Sequence, residues 1–83
     1  MDKPIVRIVW HDAQDHADKW TAAEDAEAFA NTPCEIISVG WLVSETAKYV
    51  TLAADWDGTD EDYGRVTKIP RGCVVSQETI HGQ

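Results

Sequence analysis

Residues 34–45 read CEIISVGWLVSE, an apolar-rich run that is long for a strand and carries Gly40 near its middle. Ordinary strands span about 5–6 residues. A glycine inside a strand marks a bend or a close approach of another backbone. The stretch therefore predicts one strand that turns sharply at Gly40, as the wall of a small barrel must. Asn31-Thr32-Pro33 immediately before it stops any preceding helix, because proline cannot continue a helix and restricts the residue before it.

Upstream, IVRIVW (5–10) alternates, with Val6, Ile8 and Trp10 on one face and Ile5, Arg7 and Val9 on the other. That period of two is a strand. A polar loop follows. Thr21 and Glu24 then have the spacing of a capping box, with Glu24, Asp25 and Glu27 near the positive helix end. A short helix is expected over about 22–30, its apolar side formed by Ala22, Ala26 and Phe29. Downstream, ETAK makes a turn and KYVTLAADW a strand. DGTDEDYG reads as an acidic loop, RVTKIP as a fourth strand, PRG as a tight turn and CVVSQETI as a last strand. The expectation is a mainly β, five-stranded small barrel over residues 1–83, a single domain with one helix inserted after the first strand. Closure would remove the edge-strand problem.

The chain has 83 residues, enough for one domain whose core is small. Seven basic against fifteen acidic side chains give a net charge of −8, which repels phosphate backbones and excludes unaided nucleic-acid binding. Cys34 and Cys73 have no CxxC spacing, and the N-terminus lacks a signal-peptide pattern. They are read as reduced and buried, in a cytosolic protein. No apolar run approaches the roughly 18 residues of a membrane span.

Two segments resemble the halves of the Sm-like (Lsm) barrel signature across residues 36–80. GWLVSETAKYVTLA is similar to its first half, and KIPRGCVVSQETI to the second, where an Arg-Gly turn joins the last two strands. The implied fold is an Sm-like or SH3-like barrel. In Sm-like rings that turn lies beside the ligand-bearing pore, which makes Arg71 a candidate by resemblance. A second pattern, W-x-D-A from Trp10 to Ala13, Trp20, G-W-L from Gly40, V-x-L-A from Val50 and I-P-R-G from Ile69, resembles a group of small phage and prophage proteins. That resemblance implies phage origin and leaves the activity open; joined to the cytosolic reading, it places the chain in the host cytoplasm.

Candidate sites follow from chemistry. WHDAQDH (10–16) has two histidines five apart and no distant Cys/His pair to complete a zinc pattern, so no metal or cofactor is expected. Asp12, at a strand end, suits bonding to backbone N–H groups of the next turn or to a ligand hydroxyl. Trp10 belongs with it in the same motif. Trp41 beside Gly40 suits the barrel wall or a stacking surface for a base. Lys68 and Arg71 flank Pro70 and could hold a phosphate, Arg71 by its planar fork. The alternative is a salt bridge to one of fifteen carboxylates. Trp20 is expected to pin its loop onto the barrel. Trp56, beside the acidic loop, is expected to be the exposed tryptophan and an interface residue.

The favoured functional expectation is a phage counter-defence protein that binds. As a homo-oligomer it would sequester a nucleotide-derived immune signal, a cyclic dinucleotide or cyclic ADP-ribose, on Trp10, Asp12, Trp41, Lys68 and Arg71. One alternative is an enzyme cleaving that signal, with His11 or His16 as acid or base and Asp12 orienting it. The other is a protein-interaction module using Trp56.

Overall fold

At Gly40 a methyl group would lie 2.6 Å from the carbonyl oxygen of Ala53, so only glycine lets the two backbones approach this closely. The close approach organises the sheet. The computed structural model describes residues 3–82. It contains β1 (Ile5–Asp12), α1 (Ala23–Ala30), β2 (Cys34–Glu45), β3 (Tyr49–Asp57), β4 (Asp62–Pro70) and β5 (Val74–His81), with a 3-10 turn at Arg71–Cys73 between the last two strands. All strands belong to one antiparallel sheet in the order β4-β3-β2-β1-β5.

β2 changes partner along its length. From Cys34 to Trp41 it pairs with β1, and from Trp41 to Glu45 with β3. The β2–β3 register skips Val43, a one-residue bulge that adds bend and twist. Beyond Ala53, β3 pairs only with β4. Two arms therefore part from a common junction. One is β1–β2 with β5, the other the β3–β4 hairpin.

Alternation places the core. Val6 and Ile8 from β1, Val50 and Leu52 from β3 and Ile69 from β4 are buried together, with Trp10, Leu42, Cys73 and Val74 packed on them. Every strand contributes, which is what a coiled sheet folded onto its own inner face does. Trp10, Val6 and Ile8 share that face as their spacing predicts. Both cysteines are only half-buried.

The sheet does not close into a barrel. Among the described residues, β4 and β5 each pair on one side only, with β3 and β1 respectively. They meet at the 3-10 corner and diverge from it, so the first and last strands of the sheet never form a ladder. Closure is confined to that corner. The Arg71 N–H donates to Lys48 O at 2.8 Å, and the Arg71 guanidinium reaches Thr46 O, Glu45 and Gln77. The result is elongated, 53 × 22 × 20 Å, with a radius of gyration of 16.3 Å against about 12 Å for a compact chain of this length. Its accessible surface is 6068 Å². A compact monomer of 9.2 kDa would expose about 4,900 Å².

Two local expectations change. The helix begins at Ala23 after an Ala22 cap that makes no side-chain bond, so the Thr21–Glu24 capping box does not form. The Thr21 hydroxyl instead sits 3.4 Å from His16 Nδ1. The other end is well satisfied, with Asn31 Nδ2 donating to Glu27 O and Thr32 Oγ1 to Ala28 O, both at 2.9 Å. No helix residue is buried. The acidic loop is also shorter than expected. Asp55, Trp56 and Asp57 pair with Gly64, Tyr63 and Asp62, which extends the hairpin.

Gly40→Ala is expected to destabilise the fold by at least about 2 kcal/mol, because the obstruction is backbone and cannot rotate away. A urea unfolding midpoint well below that of the unmodified chain checks this.

Candidate functional site

The antiparallel register sets Trp41 opposite Ala53, and Ala53 opposite Val66. Opposed residues share a face. Lys68, two residues past Val66, therefore shares the face of Trp41 at about 12 Å along the sheet. Trp56 meets Trp41 edge-on, with centroids 5.2 Å apart, and stacks on Tyr63 at 6.4 Å. This three-ring cluster stands where the β3–β4 arm leaves the junction. Trp56 is partly buried within it, and its Nε1 is buried without an acceptor among the described residues. An unsatisfied buried N–H costs about 1–3 kcal/mol. The exposed tryptophan is Trp20, 88% accessible and free of the sheet it was expected to pin.

The other expected binding residues lie elsewhere. Trp10 faces the core side, opposite to Trp41, and donates from Nε1 to Ser38 Oγ at 3.0 Å. Asp12 accepts the Ala13 N–H at 2.8 Å, the turn-forming contact expected of it, and lines a shallow hollow of about 470 Å³ with His11, Gln14, Phe29 and Asn31. His11 lies 4.0 Å from Glu35. His16 packs edge-on against Phe29 and accepts the Asp18 N–H on Nδ1. Among the described residues, no three His, Cys, Asp or Glu side chains come together as metal ligands.

Lys68 and Arg71 are employed differently. The Lys68 ammonium lies 4.7 Å from the Tyr49 ring centroid, a cation–π contact on an exposed face. Arg71 donates to Thr46 O at 3.0 Å, Gln77 Oε1 at 3.0 Å and Glu45 Oε1 at 2.8 Å. Gln77 also donates to the same Glu45 oxygen at 3.3 Å. These bonds take up much of the fork, which acts first as the fastener of the 3-10 corner.

A second cavity, about 210 Å³, opens where the arms part, lined by Ser38, Val39, Leu52, Ala54, Arg65 and Thr67. Arg65 adopts φ +52°, an uncommon left-handed conformation for a side-chain-bearing residue, costing on the order of 1–2 kcal/mol. Its Nε and Nη2 donate to the two oxygens of Asp55 at 2.8 and 3.1 Å. The hydrogen bond from Arg65, with its positive charge, holds the Asp55 carboxyl below the usual carboxylate range and Arg65 correspondingly above its own. Sequence reasoning overlooked this group. Its only signal there is an Asp and an Arg one residue out of register with each other across a hairpin turn.

Comparison with family models, curated proteins and solved structures returned no match.

Two outcomes follow from these contacts. Arg71→Ala is expected to cost about 1.5–3 kcal/mol, since it strips charge-assisted bonds from the corner, measured as a lower urea midpoint at unchanged slope. Arg65→Gln is expected to raise the Asp55 pKa toward its ordinary value, read by carbon NMR of the carboxyl against pH. Because the folded pKa is depressed, the pair's contribution is present above the ordinary carboxylate range and is lost as pH falls through the folded value.

Proposed function

We propose that the protein is a homo-oligomeric binding protein that sequesters a small nucleotide-derived signal, of the cyclic dinucleotide or cyclic ADP-ribose type. The observation that carries this reading is the unfinished sheet. β4 and β5 both end the sheet with an unpaired edge, and each carries more than half-exposed apolar side chains, Val66 on β4 and Val75 and Ile80 on β5. Open edges of this kind pair with further strands unless they are protected. The chain exposes roughly 1,100 Å² more than a compact monomer would, against the roughly 800 Å² that each partner buries in a standard interface. Pairing β4 of one protomer with β5 of the next is heterologous and builds a ring if the rotation closes.

The ligand class is supported by what lies beside the β4 edge. Trp41 and Tyr63, the outer rings of the cluster that covers Trp56, offer aromatic surface on which a base stacks for about 1–3 kcal/mol. The net charge of −8 disfavours a long polyanion and tolerates a small ligand with one or two phosphates. The Arg71-Gly72 corner between the last two strands supports the Sm-like reading of the fold. The W-x-D-A to I-P-R-G pattern supports a phage origin, and a counter-defence role in the host cytoplasm is proposed on that basis by analogy with small phage-encoded binding proteins.

One observation favours a second reading. Trp20 is almost fully exposed on a segment that buries none of its helix, a suitable anchor for a protein partner.

Native mass spectrometry of the protein purified from cells that make cyclic nucleotide signals tests the reading. The expected result is an oligomer whose denaturation releases an intact nucleotide-sized mass. A monomer that carries nothing and leaves added cyclic nucleotides unbound would overturn it. Linear products would instead indicate cleavage.

A further inference from the structure

The cleft at the fork of the two arms carries three donor side chains, those of Ser38, Arg65 and Thr67. The Asp55 pair occupies one edge of the Arg65 fork, Nε and Nη2, and leaves the edge formed by Nη1 and the second Nη2 hydrogen. Such a buttressed fork is already oriented, so little rotamer freedom is lost when its free edge is used. Ser38 accepts from Trp10, which leaves its own hydroxyl hydrogen to donate elsewhere. Thr67 supplies a second hydroxyl, and Val39, Leu52 and Ala54 supply apolar wall. The left-handed Arg65 backbone is strain of the kind that persists where a side chain must be held in one place.

The surroundings decide what two acceptors the fork could meet. Asp55 already balances its charge, and Asp57, Asp60, Glu61 and Asp62 crowd the hairpin end beyond. A phosphate would be repelled there. A neutral group with two adjacent lone pairs would not. Guanine presents such an edge in O6 and N7, and arginine is its commonest bidentate partner. Adenine presents N7 beside an amine, which sets donor against donor. The cleft, about 210 Å³, is below the roughly 300–1,000 Å³ of sites that enclose a drug-sized ligand, so it takes a single ring system.

We propose that this cleft is a guanine pocket, in which Arg65, buttressed by Asp55, donates to O6 and N7 of a base lying against Val39, Leu52 and Ala54. It rests on the sequestration reading and narrows it. The signal carries guanine, and its sugar and phosphates stay outside the cleft.

Isothermal titration with cyclic di-GMP, cyclic di-AMP and inorganic phosphate tests this on the full chain, alongside Arg65→Lys and Arg65→Gly. Lysine keeps the charge and loses the fork. Glycine suits the left-handed backbone, so the sheet, followed by circular dichroism, is retained. The expected result is at least tenfold tighter binding of cyclic di-GMP than of cyclic di-AMP, no competition from phosphate, and loss of the preference in both variants. Equal binding of the two dinucleotides, a preference that survives both variants, or displacement by phosphate would each overturn the guanine pocket. Equal and tight binding would do so while leaving sequestration standing. No binding of either dinucleotide would also overturn the pocket, and the mass spectrometry above then decides separately whether the protein carries any other nucleotide.

Discussion

The carbonyl of Ala53 occupies the place where a side chain of residue 40 would be. That one backbone contact fixes where β3 crosses β2 and therefore where the sheet turns. On one side of it β2 pairs with β1, on the other with β3, and the bulge at Val43 sharpens the change. The core gathers where the turn brings the inner faces together, around Val6, Ile8, Val50, Leu52 and Ile69. Beyond the contact the arms separate, which leaves the core small, the molecule long, and a cleft at the fork.

Few positive charges serve a strongly acidic chain, and the structure places its three arginines at joints. Arg71 ties the 3-10 corner to the β2–β3 turn, Arg65 ties the two strands of the β3–β4 arm through Asp55, and Arg7 lies 3.5 Å from Glu78 across β1 and β5. The more exposed Arg65–Asp55 and Arg7–Glu78 pairs add little stability each. Their effect is geometric, because a planar fork held by a carboxylate aims at one direction. A cation that already neutralises an acid is also a poor collector of anions. For this reason a neutral, acceptor-rich ligand edge suits Arg65 better than a phosphate does.

Much of the fold was legible in the residues. The alternation of Val6, Ile8 and Trp10 gave both the strand and its inner face, Pro33 marked the end of the helix, and Gly40 marked the bend. The failures have physical causes. A capping box is a spacing, and Thr21 had a competing partner in His16 that no local pattern reveals. The acidic loop was read as unpaired because charge obscured its strand character, yet Trp56 and Tyr63 face each other across the hairpin and continue the ladder. That pairing also accounts for the error over exposure. Trp56 is covered by Trp41 and Tyr63, and the exposed ring is that of Trp20.

The candidate site was far less legible than the fold. Trp10 was singled out from its motif and Trp41 from the glycine beside it, and the register sets them on opposite faces. Arg71 was singled out from its turn, and its donors hold that turn in place. Arg65, Asp55, Ser38 and Thr67 come from three strands and meet only because the arms diverge. By itself the sequence determined strand identity, the inner face and the place of the bend, since these depend on local periodicity and on one residue lacking a Cβ. Whether the bent sheet closed, which rings were covered and which charges met were decided only by tertiary structure. Each depends on strand register between segments far apart in the chain, and no local pattern encodes that register.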